Sequence, residues 1–193
     1  RHAGCISNPK GSRLICIRED HRVKGEPVNS LVGINLSYAD EGETLISGAD
    51  FYSAPMLSPD QTQLAWVSWQ HPNMPWDETQ LWIADLDAKG AIQNPMQIKT
   101  EQQGSITQPL FSPTGQLYFV ADFNNWWNIF HLNEALEPEI VLEKQAEFAV
   151  ADWQVGKYSY AFENEYRLVA SYNHDGKAEL IRIDTISGTV ETI

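Results

Sequence analysis

Tyr52-Ser53-Ala54-Pro55-Met56-Leu57-Ser58-Pro59-Asp60 recurs in outline as Ile106-Thr107-Gln108-Pro109-Leu110-Phe111-Ser112-Pro113-Thr114. In both copies a Ser-Pro turn separates an apolar run from a second one, Leu64-Ala65-Trp66-Val67-Ser68-Trp69 and Leu117-Tyr118-Phe119-Val120-Ala121. A third run follows each: Leu81 to Leu86, and Trp127 to Leu132. Ser58 and Ser112 lie 54 residues apart. A period of this size built from short strands reads as blades of a β-propeller, a scaffold whose function lies in its loops or in another domain. The turns have a mechanism: Pro at the second position arrives with its φ already set, and Ser at the first suits a type I turn.

Strand signals cover the rest of the chain and helical ones are almost absent; Asn133 to Gln145 comes closest, and Pro138 interrupts it. The strand runs form four groups, expected as blades over roughly 1–48, 49–99, 104–143 and 146–193. In the first group Arg1 to Pro9 must supply the inner strand. The fourth is drawn as Phe148 to Trp153, Tyr158 to Phe162, Arg167 to Tyr172, Glu179 to Ile183 and Thr189 to Ile193. The fold class is therefore all-β, a partial propeller of about four antiparallel blades. The repeats are uneven, so the chain reads as part of a larger ring.

The 193 residues carry a formal net charge of −13, which repels nucleic acid and anionic membrane surfaces; neither is an expected partner. No apolar run is long enough to span a bilayer. Cys5 and Cys16 allow one disulfide arithmetically. With no secretory context, Cys16 reads as a buried thiol in a reducing compartment. The five histidines show no metal-ligand spacing and no phosphate loop is present, so no metal or cofactor is expected.

The segment Trp69-Gln70-His71-Pro72-Asn73-Met74-Pro75-Trp76-Asp77 closely resembles the W-D-H-P-N-M-P-W-D stretch in the propeller of acylaminoacyl-peptidase-like members of the prolyl oligopeptidase family of serine peptidases. Arg18-Glu19-Asp20-His21 is similar to that group's R-E-D-H, and Phe119-Val120-Ala121-Asp122 with Trp126-Trp127-Asn128 to its F-V-S-D and W-W-N. Gln70 stands where the family has Asp, and Gln61 where the first Ser-Pro turn has Gly.

The resemblance implies an α/β-hydrolase domain after the propeller, holding the catalytic triad. None of the twelve glycines opens a G-x-S-x-G elbow, so that domain and any catalytic residue are expected outside this chain. What the resemblance implies for the chain is substrate gating in a cytoplasmic peptidase acting on short peptides or acylated amino-terminal residues. Its partners would be the hydrolase domain and the peptides. The alternative is a non-enzymatic TolB-like propeller that binds proteins.

Loops joining second to third strands share one face of a propeller. They are read here as 19–30, 71–77, 122–126 and 163–165. Candidate substrate-side or interdomain residues are thus Glu19, Asp20, His21, His71, Trp76, Asp77, Asp122 and Trp126. Carboxylates and flat aromatic groups suit a cationic peptide terminus or a covering domain.

Overall fold

A computed structural model describes residues 1–8, 11–22, 24–39 and 41–193. Among them there is no helix. The strands form four separate sheets of four, each an antiparallel meander in chain order. The first holds β1 (His2–Ser7), β2 (Arg13–Asp20), β3 (Val28–Asn35) and β4 (Glu43–Ser47). The second holds β5 (Phe51–Leu57), β6 (Gln63–Trp69), β7 (Gln80–Leu86) and β8 (Ile92–Gln97). The third holds β9 (Ile106–Phe111), β10 (Leu117–Ala121), β11 (Asn128–Leu132) and β12 (Pro138–Ile140). The fourth holds β13 (Tyr160–Asn164), β14 (Arg167–His174), β15 (Lys177–Asp184) and β16 (Val190–Thr192). This is the partial propeller that the repeats led us to expect.

The period-2 alternation of each strand decides which neighbour it packs on. On β6, Leu64 and Trp66 join Ile15, Ile17 and Leu31 of the first sheet, while Ala65 and Val67 join Phe119 and Phe130 of the third. On β10 the split repeats: Leu117, Phe119 and Ala121 face the second sheet, and Tyr118 and Val120 face Leu168, Ile181 and Ile183 of the fourth. Trp66, Val67, Leu81, Ile83, Phe119 and Ile129 are all buried. Each such side chain contributes about 1.5–3 kcal/mol by leaving water. The stacked cores run from the first sheet to the second, third and fourth.

The inner strand of the first sheet comes from 2–7, within the stretch that had to supply it; Pro9, at the end of that stretch, lies outside the described residues. The inner strands of the first three sheets share a bulge. Pairing skips between Ala3 and Ile6, between Ser53 and Met56, and between Thr107 and Leu110. Gly4, Ala54 and Gln108 stand there with φ of 54°, 48° and 55°. The first bulge sets two residues, Gly4 and Cys5, against Cys16, and Cys5 and Cys16 are joined by a disulfide. This corrects the expectation of a free buried thiol, because spacing alone could not reveal that the two cysteines face each other across β1 and β2.

The fourth sheet also departs from the reading. Residues 148–153 form no strand: Phe148 donates its N–H to the Trp127 carbonyl, and the chain beyond it is irregular. The apolar run Phe148, Ala149 and Val150 imitates a strand, yet Phe148 and Ala149 are buried as part of a linker. The first strand of the sheet is β13. Residues 163–165 therefore lie at a first-to-second turn, on the opposite face from that assigned by sequence.

Candidate loop-face site

Second-to-third connections share a face with the linkers that join one sheet to the next. On that face the structure ties the two kinds of segment together. The His71 N–H donates to Asp50 Oδ2 at 2.9 Å, and Gln70 Oε1 accepts from the Asp50 N–H at 2.9 Å. Buried Thr79 both donates to the Ile106 carbonyl (2.8 Å) and accepts from the Ile106 N–H (2.6 Å). Ser105, also buried, donates its hydroxyl to the Pro75 carbonyl and its N–H to Asp122 Oδ1.

Two groups form among the candidate residues, and Asp77 and Trp126 belong to neither. Glu19 and His71 line one groove of about 380 Å³ between the first and second sheets, with Asp50 and Phe51. There the His71 ring meets Phe51 edge-on at 4.9 Å, and the His71–Pro72 peptide is cis. Glu19 holds His21 Nε2 at 2.8 Å, and this contact lowers the exposed carboxyl's pKa. Asp20 grips Arg22 through its guanidinium and its N–H, which holds the carboxyl far below the usual range. Trp76 and Asp122 form the second group, joined through Ser105 and Pro75. Asp77 stands apart: its Oδ2 accepts the Met74 N–H and closes the turn of its own loop. Trp126 is half-buried, and its carbonyl accepts from Asn128 Nδ2.

Sequence reading missed Asp152 and Trp153. The Trp153 ring lies 4.5 Å from that of Trp76, although the two belong to different sheets' connections. Asp152 Oδ2 accepts from Thr107 Oγ1 of β9 at 3.3 Å. Burial raises the pKa of the Asp152 carboxyl, against smaller opposing effects of Thr107 and Lys157. Burial also raises Asp122, opposed by the Ser105 N–H. It pushes Tyr158 up to about 12, with the nearby Asp152 charge adding to the effect. This face therefore carries two desolvated carboxyls and an aromatic pair. A tryptophan in a run mistaken for a strand gave no signal of that role.

Over its whole length the chain superposes on 30% of a puromycin hydrolase, with a TM-score of 0.89 and 25% sequence identity. It likewise covers 37% of a puromycin-hydrolyzing peptidase of Mycobacterium tuberculosis at 26% identity, with a TM-score of 0.73. This is a propeller segment of the kind carried by prolyl oligopeptidase-family peptidases. Prolyl oligopeptidase B of Galerina marginata shares the fold at 17% identity and a TM-score of 0.74, over 98% of this chain and 26% of that one. TolB of Acinetobacter baumannii shares it at 14% identity and a TM-score of 0.66, over 43% of its length. No protein-family model and no curated protein sequence matches the chain. The segment thus spans about a third of the length of the peptidases it resembles. Among the described residues, no helix is long and apolar enough to cross a membrane.

Proposed function

We propose that this segment is the non-catalytic, substrate-gating propeller part of a serine peptidase acting on short peptides or acylated amino-terminal residues. The observation that carries the reading is the superposition of the whole chain on part of a puromycin hydrolase. The four sheets would be consecutive blades, over roughly 1–48, 49–99, 104–143 and 146–193, of a larger ring. An α/β-hydrolase domain of the same parent would cover the loop face. Glu19, Asp20, His21, His71, Trp76, Asp77, Asp122 and Trp126 would then face that domain or a passing peptide. Two prolines, Pro72 and Pro75, fix the shape of the 71–77 loop beforehand and so reduce its ordering cost on binding.

The parent is proposed to work in the cytoplasm. The Cys5–Cys16 bond weighs against that placement, because disulfides persist mainly in oxidising compartments. A thiol-trapping assay on the protein from intact cells decides between them: both thiols trapped free supports the cytoplasm, both protected overturns it.

Fluorophosphonate labelling of the complete reading frame that contains this segment tests the peptidase reading. A single labelled serine outside residues 1–193 is expected, with no label on the segment alone. A complete protein with no reactive serine would overturn it. The similarity to TolB then leaves the protein-binding propeller as the reading.

A further inference from the structure

The three linkers between sheets differ greatly in length. Residues 48–50 suffice between β4 and β5, and 98–105 between β8 and β9; the linker from β12 to β13 runs over 141–159. Its first part is used as sheet edge and core: Val141 bonds the Ile129 carbonyl, Glu147 pairs with Asn173, and Phe148 is buried. Ala149 is buried in the core shared with the fourth sheet. The nine residues after it, 150–158, form no strand and join no core cluster, and long connections without strands or helices are usually functional.

Those residues do not loop outwards. Asp152 bonds Thr107 on the inner strand of the third sheet. Trp153 packs on Trp76 in the second sheet's loop, the ring planes tilted by 36°. Val155 lies against Gly4 on the inner strand of the first sheet, where a Cβ built on Gly4 would sit 3.6 Å from Val155 Cβ. Tyr158 and Ser159 return to Pro109 and Gln108 at the bulge of β9. One short segment thus touches elements of the first, second and third sheets before entering the fourth. Inner strands surround the central channel of a propeller, so a segment reaching across them spans that channel. Yet it is thinly held. Trp153 remains 73% exposed, Val155 is exposed too, and the bonds at Asp152 and Tyr158 are long at 3.3 and 3.4 Å, although the Tyr158 hydroxyl end is shielded from water.

We propose that residues 150–158 form a lid across the mouth of the central channel, latched by Trp153 on Trp76. The lid is a property of this chain alone. That it admits peptides rests on the peptidase reading above. Lys157 is exposed on this segment, and when the latch releases, the backbone around it is free to enter a trypsin site.

Limited trypsinolysis of the native chain tests this, with cleavage after Lys157 read by mass spectrometry and Lys24, in an exposed loop, as the reference. Opening is fast relative to cutting at low protease, so the rate follows the open population. Losing one aromatic pair should raise that rate about fivefold in both Trp76→Ala and Trp153→Ala, and Trp76→Phe should keep it near the parent value. The melting temperature of Trp153→Ala should not change, since its ring lies outside the core. As a second readout, the Asp152 carboxyl followed by NMR should titrate nearer the ordinary aspartate range in Trp153→Ala, because water reaches it. Cleavage of Trp153→Ala at the parent rate overturns the latch. Parent cleavage at Lys157 as fast as at Lys24 overturns the lid. If Trp76→Ala does not fold, Trp153→Ala decides alone. A dead or absent hydrolase domain would sink the peptidase reading and leave these results untouched.

Discussion

The two faces of the sheet stack are built by different means. On one face lie the first-to-second and third-to-fourth turns, and each repeats a single local device. Asn8, Ser58, Ser112 and Asn164 open the first-to-second turns, and each side-chain oxygen accepts backbone N–H groups two to five residues ahead. Asn35, Asp87, Asn133 and Asp184 do the same in the third-to-fourth turns. The opposite face is held by contacts between distant residues: Asp50 with His71, Thr79 with Ile106, Ser105 with Asp122, and Trp76 with Trp153. One face is built chiefly by local rule, with Arg13 Nη1 donating to the Lys89 carbonyl at 2.7 Å as a tie between the first and second sheets. The other joins neighbouring sheets more often, and there the aromatic pair, the lid and the half-buried carboxyls gather.

The largest effect should therefore come from cutting a tie on the second face. Thr79→Val keeps shape and removes a hydroxyl that serves both groups of Ile106, leaving a buried N–H unsatisfied. A loss of about 2–3 kcal/mol in urea unfolding is expected. A loss below about 0.5 kcal/mol would mean that the tie between loop and linker is ornamental. Gly104→Ala is next. A Cβ there would stand 2.4 Å from Asp122 Oδ1, so Asp122 must swing off the Ser105 N–H. We expect a loss of about 1–2 kcal/mol, and partial recovery in the Gly104→Ala, Asp122→Ala double variant, since removing the carboxylate removes the clash.

The local face should respond less, and additively. Ser58→Ala and Ser112→Ala each remove a buried hydroxyl that accepts one backbone N–H in its turn, worth about 1 kcal/mol apiece. The turns are separate copies, so the double variant should equal the sum to within about 0.5 kcal/mol. A clear excess would show that the turns are coupled across the sheets, and the contrast between faces would weaken.

The same contrast explains what could be read in the sequence. Ser58-Pro59 and Ser112-Pro113 announce their turns because all the bonding partners lie within a few residues. The alternation of β6 and β10 announces the packing, because period 2 is itself sequence. A third copy of the turn was also present, since Asn8-Pro9 stands where the others have Ser-Pro, with Asn in the role of Ser. The loop face was readable only in part. His71 to Asp77 drew attention through its prolines and aromatic residues, but its partners lie up to 77 residues away in the chain, as for Trp76 and Trp153. The pairing of Cys5 with Cys16 needed the β1 bulge, and the partial burial of Asp152 needed a linker folded back over the inner strands. Neither is a property of a local word.

The smallest effect is also the sharpest test of the comparison, because Asp60 on one face and Asp152 on the other should respond to pH with opposite sign. On the local face Asp60, Asp87 and Asp184 have lowered carboxyl pKa values, chiefly through hydrogen bonds from Ser58, from the Ala91 N–H and from the Ser187 N–H respectively. A folded-state pKa below the unfolded value adds stability above the ordinary aspartate range, lost as pH falls through the folded value. On the loop face Asp152 is raised by burial, so its contribution is present below an ordinary 3.8 and is lost as pH rises through the folded value. Asp152→Asn keeps an oxygen for Thr107 and removes the charge. It should melt higher than the parent near neutrality, with the advantage fading in acid. Asp60→Asn should melt lower near neutrality, with the deficit fading in acid. Thermal melts of both variants and the parent between about pH 3 and pH 7 bracket the aspartate range and check this. Parallel curves for the two variants would mean that Asp152 is as well solvated as Asp60, and that the segment holding it does not lie across the channel.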